Sequence, residues 1–182
     1  MRVAAPLFVF AAFLCGNAAA ETNSYGQYAS FKVQMFYKDG RPNNCWIDLG
    51  VWEDETRMFF FPDWQRELPA ILMMNTSWSL SRSTTGSVVI ESGGFESRYR
   101  IKRSSETSIK IYIDNIDKFE RAFTGNYSMN FKAPKGGWNL DLVGSYDAFQ
   151  AWRRCMEDLI EAGTSYSENP WSNEQTSDNP WR

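Results

Sequence analysis

The chain has 182 residues, of which 43% are hydrophobic and 16% aromatic, and it carries a formal net charge of −3 and no histidine. The missing histidine excludes Ser-His-Asp and Cys-His nucleophilic systems and every metal site that contains histidine. The slightly acidic balance lacks the basic footprint of a nucleic-acid binder, and no phosphate-binding loop, dinucleotide fingerprint or calcium loop occurs. We therefore expect no nucleic-acid partner, no cofactor and no metal.

Residues 1–20 have the pattern of a cleaved signal peptide. Arg2 supplies a positive start, an apolar run follows, and Ala18-Ala19-Ala20 provides small residues at the cleavage position. The run is too short for a membrane span, and no later segment approaches the roughly 20 apolar residues that a span needs. We expect a mature chain without a membrane span, located in the periplasm or outside the cell.

Residues 21–28 are polar and are predicted to be a flexible N-terminus, ahead of a single β-rich domain over residues 29–163. Within that domain apolar and polar residues alternate, as in half-buried strands. The segments predicted as strands are 29–37, 45–52, 57–61, 78–81, 87–91, 95–103, 109–113, 127–132 and 138–143, and 69–74 fits either a buried strand or a core segment. The predicted fold class is mainly β (α+β), an antiparallel sheet or sandwich-like domain of about eight strands with a C-terminal amphipathic helix packed on it.

Turn-forming residues set the predicted connections. Residues 38–44 (KDGRPNN) predict a long loop between the first two strands, and Gly93-Gly94 predicts a tight hairpin turn. Asp114 is predicted to cap the short helix that follows it. That helix has four residues on its apolar face: Ile116, Phe119, Ala122 and Phe123.

The main helix is predicted between Ser145, a suitable N-cap, and Gly163, a suitable C′ residue. Its apolar face carries Ala148, Trp152, Cys155 and Leu159 at helical spacing. Cys155 therefore points at the core. With the signal peptide removed, Cys45 is its one possible partner, and export favours a disulfide between them over two separate buried thiols.

A group of basic residues lies in the middle of the chain. Its members are Arg98, Arg100, Lys102 and Arg103. They fall at alternating positions in a predicted strand, which favours a solvated sheet face over a site for a polyanion.

Residues 164–182 lack apolar periodicity and are predicted to be a disordered polar tail. An acidic residue followed by Asn-Pro-Trp occurs twice in the tail, ten positions apart. The repeated residues are Asn169, Pro170 and Trp171, and then Asn179, Pro180 and Trp181. Two such motifs suggest docking segments for another protein, and the alternative is that both tryptophans fold back onto apolar surface.

The chain contains eight tryptophans, most of which we expect to fill the core. Trp64, beside Pro62 and Asp63, is the best candidate for a surface contact with a peptide or a sugar. Carboxylate-pair chemistry is the one catalytic class compatible with the composition. The candidate carboxylates are Glu53, Asp54, Glu55, Asp114 and Asp117.

These patterns favour an exported, non-enzymatic interaction or accessory protein whose partner is another protein of the envelope or of a host. The alternative is a carboxylate-dependent envelope enzyme or a glycan-binding module. A secreted enzyme inhibitor also fits the small, disulfide-tied build, although no residue-level signal points to it.

Overall fold

A computed structural model of the chain describes residues 22–64, 66, 68–134 and 136–162. The predicted signal peptide and the predicted tail lie outside these residues. The described part contains ten strands and two helices. They are β1 (Thr22–Tyr28), β2 (Phe31–Lys38), β3 (Arg41–Val51), β4 (Arg57–Asp63), β5 (Leu68–Met74), β6 (Thr85–Ser92), β7 (Phe95–Ser105), β8 (Ser108–Tyr112), α1 (Ile116–Thr124), β9 (Ser128–Ala133), β10 (Gly136–Asp141) and α2 (Ser145–Glu161).

The strands form one sheet in the order β1-β2-β3-β4-β5-β8-β7-β6-β9-β10. Every neighbouring pair in it is antiparallel. This confirms the predicted class, an antiparallel sheet with a C-terminal helix packed on it. The alternation that predicted the strands is visible in β2, where Phe31, Val33 and Met35 are buried and Lys32 and Gln34 are only half-buried.

The N-terminal segment is a strand, which differs from the flexible 21–28 that its polar composition predicts. β1 pairs with β2 from Thr22 opposite Phe36 to Tyr28 opposite Phe31, with an irregularity between Ser24 and Gly26. Backbone hydrogen bonds to β2 hold it there, and its side chains stay mostly exposed. A polar edge strand of this kind has no apolar alternation, so the sequence carries no periodic signal for it.

The β2–β3 connection is a tight turn, so the predicted long loop over 38–44 is wrong. Lys38 pairs with Arg41, and Asp39 and Gly40 between them have φ values of 54° and 73°. Two central residues with positive φ favour the tight hairpin turn that matches strand twist, for which Asp-Gly is a strong sequence signal. The predicted Gly93-Gly94 hairpin turn is present between β6 and β7.

The predicted strand at 78–81 is also wrong, because residues 75–84 form an irregular connection. Leu80 is fixed on both sides, by a hydrogen bond from its N–H to the Glu106 oxygen (2.8 Å) and by one that its own oxygen accepts from Arg103 Nε (3.0 Å). These two isolated hydrogen bonds, one to Glu106 and one from the Arg103 side chain, take the place of the regular hydrogen-bond ladder of a strand. Alternation over four residues is too short to distinguish the two cases.

Both helices are where the sequence predicts them, but their caps differ. Asn115, not Asp114, caps α1, and its side chain accepts a hydrogen bond from the N–H of Lys118 (2.9 Å). Gly144 precedes α2 with φ of 85°, and Ser145 is the first helical residue. The Ser145 hydroxyl instead donates to the Phe123 oxygen (2.7 Å), which ties the start of α2 to the end of α1.

The core lies between the sheet and the two helices. α2 packs on β1, β2 and β3, and α1 packs on α2 and β9. The four predicted core-facing residues of α2 are all buried. The Phe60 ring of β4 lies 4.9 Å from the Trp152 ring and 5.4 Å from the Phe119 ring, so it joins both helices to the sheet. Among the described residues, no helix is long and apolar enough to cross a bilayer.

Candidate functional site

The two predicted cysteines form a disulfide that joins α2 to the inner side of β3. The Cα atoms of Cys45 and Cys155 are 6.0 Å apart, and 110 positions separate them in sequence. Both cysteines are fully buried. Because neither sulfur is a free thiol or reaches solvent, this pair has a structural role and supplies no nucleophile.

A second aromatic group lies on the outer side of the sheet, away from the helices. On β3, Cys45 and Ile47 point into the core, so Trp46 between them points outward. On β4, Phe60 contacts the helices while Phe59 and Phe61 contact Trp46. We call the four outward rings, Phe36, Trp46, Phe59 and Phe61, the outer aromatic cluster.

Trp46 is the centre of the outer aromatic cluster. Its ring lies 4.6 Å from Phe36, 5.2 Å from Phe59 and 5.2 Å from Phe61, centroid to centroid. Phe59 and Phe61 are only 9% and 6% exposed, whereas Phe36 and Trp46 are half-buried and form the accessible part. The Trp46 indole Nε1 is buried without an acceptor among the described residues, an arrangement that typically costs about 1–3 kcal/mol.

Two ion pairs border the outer aromatic cluster. Arg57 pairs with Asp48 (3.3 Å) and its guanidinium lies 5.3 Å from the Phe59 ring centroid. Lys110 pairs with Asp63 (2.7 Å) and its Nζ lies 5.3 Å from the Phe61 ring centroid. An apolar centre with a charged rim and cations over the rings is the usual composition of a binding surface.

Tyr112 completes the Asp63 ion pair. Its hydroxyl donates a hydrogen bond to the Asp63 carboxylate (3.2 Å), which is 5% exposed. Burial, and then the negative charge of Asp63, raise the pKa of the Tyr112 hydroxyl. Tyr112 therefore stays protonated at neutral pH and keeps donating.

The predicted carboxylates fall into two groups at opposite ends of β5. The Asp54 backbone oxygen binds Asn75, which follows β5, and Asp114 follows the residue whose N–H binds Pro69 at the other end of β5. The six residue steps from Pro69 to Asn75 correspond to about 20 Å of extended chain. Glycosidases need about 5–9.5 Å between their two carboxyl groups, so the acids around Asp54 and those around Asp114 cannot act together.

Asp54 has a structural position at the corner between β3 and β4. Its carboxylate accepts hydrogen bonds from the Thr56 N–H (3.0 Å) and from Trp138 Nε1 (3.2 Å). Burial alone would raise the pKa of the Asp54 carboxyl, but the bonds from Thr56 and Trp138 outweigh it and lower the pKa below its usual value. A lowered pKa is the opposite of what a general acid needs at neutral pH.

A surface depression of about 280 Å³ lies beside the β6–β7 turn and contains a further carboxylate pair. Glu91 and Glu96 are directly opposite each other in the two strands. Lys132 Nζ binds Glu91 Oε1 (2.7 Å) and compensates one of the two charges. The depression therefore contains Glu91, whose charge is compensated by Lys132, next to Glu96.

The remaining predicted contact residues are divided between the described and undescribed parts of the chain. Trp64 lies in the turn between β4 and β5, where it is half-buried and packs against the hydrophobic core. The two Asn-Pro-Trp motifs at 169–171 and 179–181 lie outside the described residues. The sequence does not single out the outer aromatic cluster, although Met58–Phe61 gives a signal for it: a run without alternation is apolar on both faces of its strand.

Together the fold and this surface define a disulfide-tied antiparallel β domain with an aromatic outer face. No protein-family model matches the chain, and no curated protein matches it either. Among solved structures, the chain is similar to invasion associated protein B from Bartonella henselae, with a TM-score of 0.50 and 12% sequence identity. The match covers 76% of this chain and 98% of that one, and at this identity it shows a similarity of fold alone.

Proposed function

We propose that the chain is an exported, non-enzymatic interaction or accessory protein of the periplasm or the cell exterior. The signal-peptide pattern over residues 1–20 supports export. The Cys45–Cys155 disulfide supports it independently, because disulfides persist in oxidising compartments. The fold similarity to a protein named for its association with invasion is consistent with an accessory role.

The outer aromatic cluster is the observation that carries the proposal. These four rings lie on the outer face of the sheet, apart from the hydrophobic core, and Phe36 and Trp46 keep part of their surface in solvent. Tryptophan and arginine are enriched among the residues that dominate binding energy, and here Arg57 borders the rings. The partner that fits is another protein, of the envelope or of a host, with an apolar contact at its centre.

The repeated Asn-Pro-Trp motifs form a second proposed contact. The segments 169–171 and 179–181 each present one tryptophan next to a proline in a polar stretch. Two weak motifs on one chain strengthen binding through effective concentration when both can engage. In the competing arrangement, these tryptophans cover the chain's own apolar surface instead.

The proposal is tested by crosslinking pull-down from the native compartment with the full mature chain. The variant Phe36→Lys places a charge in the accessible part of the outer aromatic cluster, and Trp46→Ala removes its centre. Tyr146→Ala is the matched control, because Tyr146 is 60% exposed on α2, away from the cluster. We expect one discrete partner whose recovery falls at least about tenfold with either cluster variant, the loss typical of a binding hot spot.

The tail is tested separately with the double variant Trp171→Ala/Trp181→Ala. A loss of the same partner supports docking by the tail, and unchanged recovery removes the docking role of the tail. Equal recovery with wild type, Phe36→Lys and Tyr146→Ala would remove the outer aromatic cluster from the proposal. Urea unfolding of each variant separates a lost contact from a lost fold.

A further inference from the structure

Strand β7 presents a row of three cations on the outer side of the sheet. Arg98, Arg100 and Lys102 are all exposed, while Tyr99 between the first two is 3% exposed and belongs to the core. We call Arg98, Arg100 and Lys102 the basic row. Because alternate residues of a strand share a face, its members follow one another at about 6.6–6.8 Å along β7.

The basic row forms no salt bridge in the described part of the chain, and the exposed Glu96 precedes it on the same face of β7. Arg57, Lys110, Lys132 and Arg153 each form a salt bridge with a carboxylate, whereas no member of the basic row does. Arg98 has a neutral partner instead, the hydroxyl of Ser87 (3.1 Å). The remaining basic residue of this stretch, Arg103, binds the Leu80 oxygen and pairs with Glu106 (3.9 Å).

The neighbour of Lys102 across the sheet is also basic, but it is already paired. Lys102 lies directly opposite Lys110 of β8, whose charge is compensated by Asp63 (2.7 Å). The chain as a whole has a net charge of −3, so the basic row is a local concentration of positive charge that does not follow from the composition. Solvation accounts for each exposed charge singly, and the feature on which the proposal rests is that three cations follow one another on one face with no carboxylate between them.

Hydroxyl groups lie beside the cations on the next strand. Ser87 of β6 is opposite Arg100, and Thr85 is opposite Lys102. The surface therefore offers a line of positive charges with neutral hydrogen-bonding groups alongside. Linear polymers that carry both anionic groups and hydroxyls match this pattern in charge and in hydrogen bonding.

We propose that the basic row binds an acidic polysaccharide. This goes beyond the proposed protein contact, because it uses a different part of the outer face from the outer aromatic cluster. Single-stranded nucleic acid fits less well, since the row offers no exposed aromatic ring for base stacking. A lipid surface fits less well because polar hydroxyls, not apolar anchors, lie beside the cations.

The test measures binding of the full, disulfide-bonded mature chain to heparin as the anionic probe, at several salt concentrations. The variant Arg98→Gln/Arg100→Gln/Lys102→Gln removes three charges from the row. The control Lys38→Gln/Lys118→Gln/Arg154→Gln removes three exposed charges that belong to three different elements, β2, α1 and α2. We expect heparin affinity to fall at least about tenfold, and the salt dependence by about 2–3 units of slope, in the row variant only.

Equal losses in the row variant and the control would overturn the proposal, because net charge alone would then explain binding. Tighter binding of duplex DNA or of vesicles containing an anionic lipid, with the same dependence on the row, would also overturn it in favour of that class. Trp46→Ala, which changes no charge, should leave heparin affinity within about twofold of wild type, so failure of the aromatic contact and failure of the basic row are distinguishable.

Discussion

The indole nitrogen of Trp152 donates a 3.0 Å hydrogen bond to the backbone oxygen of Cys45, 107 residues away in sequence. Three residues further along α2, Cys155 is joined to the same Cys45 by the disulfide. One residue of β3 is therefore held to α2 by a covalent bond and a buried hydrogen bond. This fixes the helix on the inner face of β3, opposite the side that carries Trp46.

Removing either cysteine should destabilise the domain strongly. A disulfide that closes a loop of about 110 residues contributes up to about 4–5 kcal/mol in the chain-entropy model. We expect Cys45→Ser and Cys155→Ser to lower the free energy of unfolding by similar amounts, and the double variant to add little. Urea unfolding measures this, and clearly additive losses would mean that the cysteines are not joined.

Replacing Asn75 should weaken the β3–β4 corner. Its Nδ2 donates to the Asp54 oxygen (2.6 Å) and to the Thr56 hydroxyl (3.0 Å), and the residue is 3% exposed. Asn75→Ala leaves buried groups unpaired, at a cost of about 1–3 kcal/mol. Thr76→Ala, at an exposed neighbour, is the control and should change stability by less than about 0.5 kcal/mol. The two variants are compared by denaturant unfolding, and equal effects would contradict the role of Asn75.

The glycines of the β6–β7 turn should differ sharply in tolerance. A Cβ on Gly93 would lie 1.6 Å from Asn126 Oδ1, whereas a Cβ on Gly94 meets nothing within 4 Å. Both residues have positive φ, so both alanine variants incur about 1–2 kcal/mol of backbone strain. The clash adds to this in Gly93→Ala only. Asn126 is held by the bond from its Nδ2 to the Ala122 oxygen (3.0 Å), so thermal unfolding should show a lower Tm for Gly93→Ala than for Gly94→Ala. Equal Tm values would contradict an Asn126 side chain held in this position.

Asp54 should make a pH-dependent contribution to stability. Its pKa is lowered below the usual 3.8, so its stabilisation is fully present above the unfolded-state pKa and is lost as the pH falls through the folded-state value. We expect Asp54→Asn to be less stable than wild type at neutral pH, with the difference shrinking below pH 3.8. Chemical unfolding across pH measures this, with Glu53→Gln as the control. A difference that widens in acid would contradict the assigned hydrogen bonds.

The sequence predicts well which helix residues pack against the sheet. Ala148, Trp152, Cys155 and Leu159 repeat at helical spacing, and the structure buries all four on the sheet. Cys155 is placed correctly because a helix has only one apolar face on which it can lie. The same logic identifies the apolar face of α1, although the neighbouring Asn115 displaces Asp114 as its cap.

The sequence predicts less well those features that depend on which strands pair with each other. β1 is a strand because β2 offers it a free edge, which its own polar residues do not reveal. The outer aromatic cluster is missed for a related reason. It is built by Phe36, Trp46, Phe59 and Phe61 from three strands, and only the sheet register brings them together.

Photo-crosslinking in the native compartment, from single positions on the full mature chain, tests most directly whether the outer aromatic cluster binds a partner. A photoreactive residue at position 36 lies in the accessible part of the outer aromatic cluster, and one at position 146 lies on an exposed part of α2. We expect a discrete crosslinked protein from position 36 and none from position 146. Crosslinking that is absent from position 36, or equal from both positions, would contradict a partner-binding role for this surface.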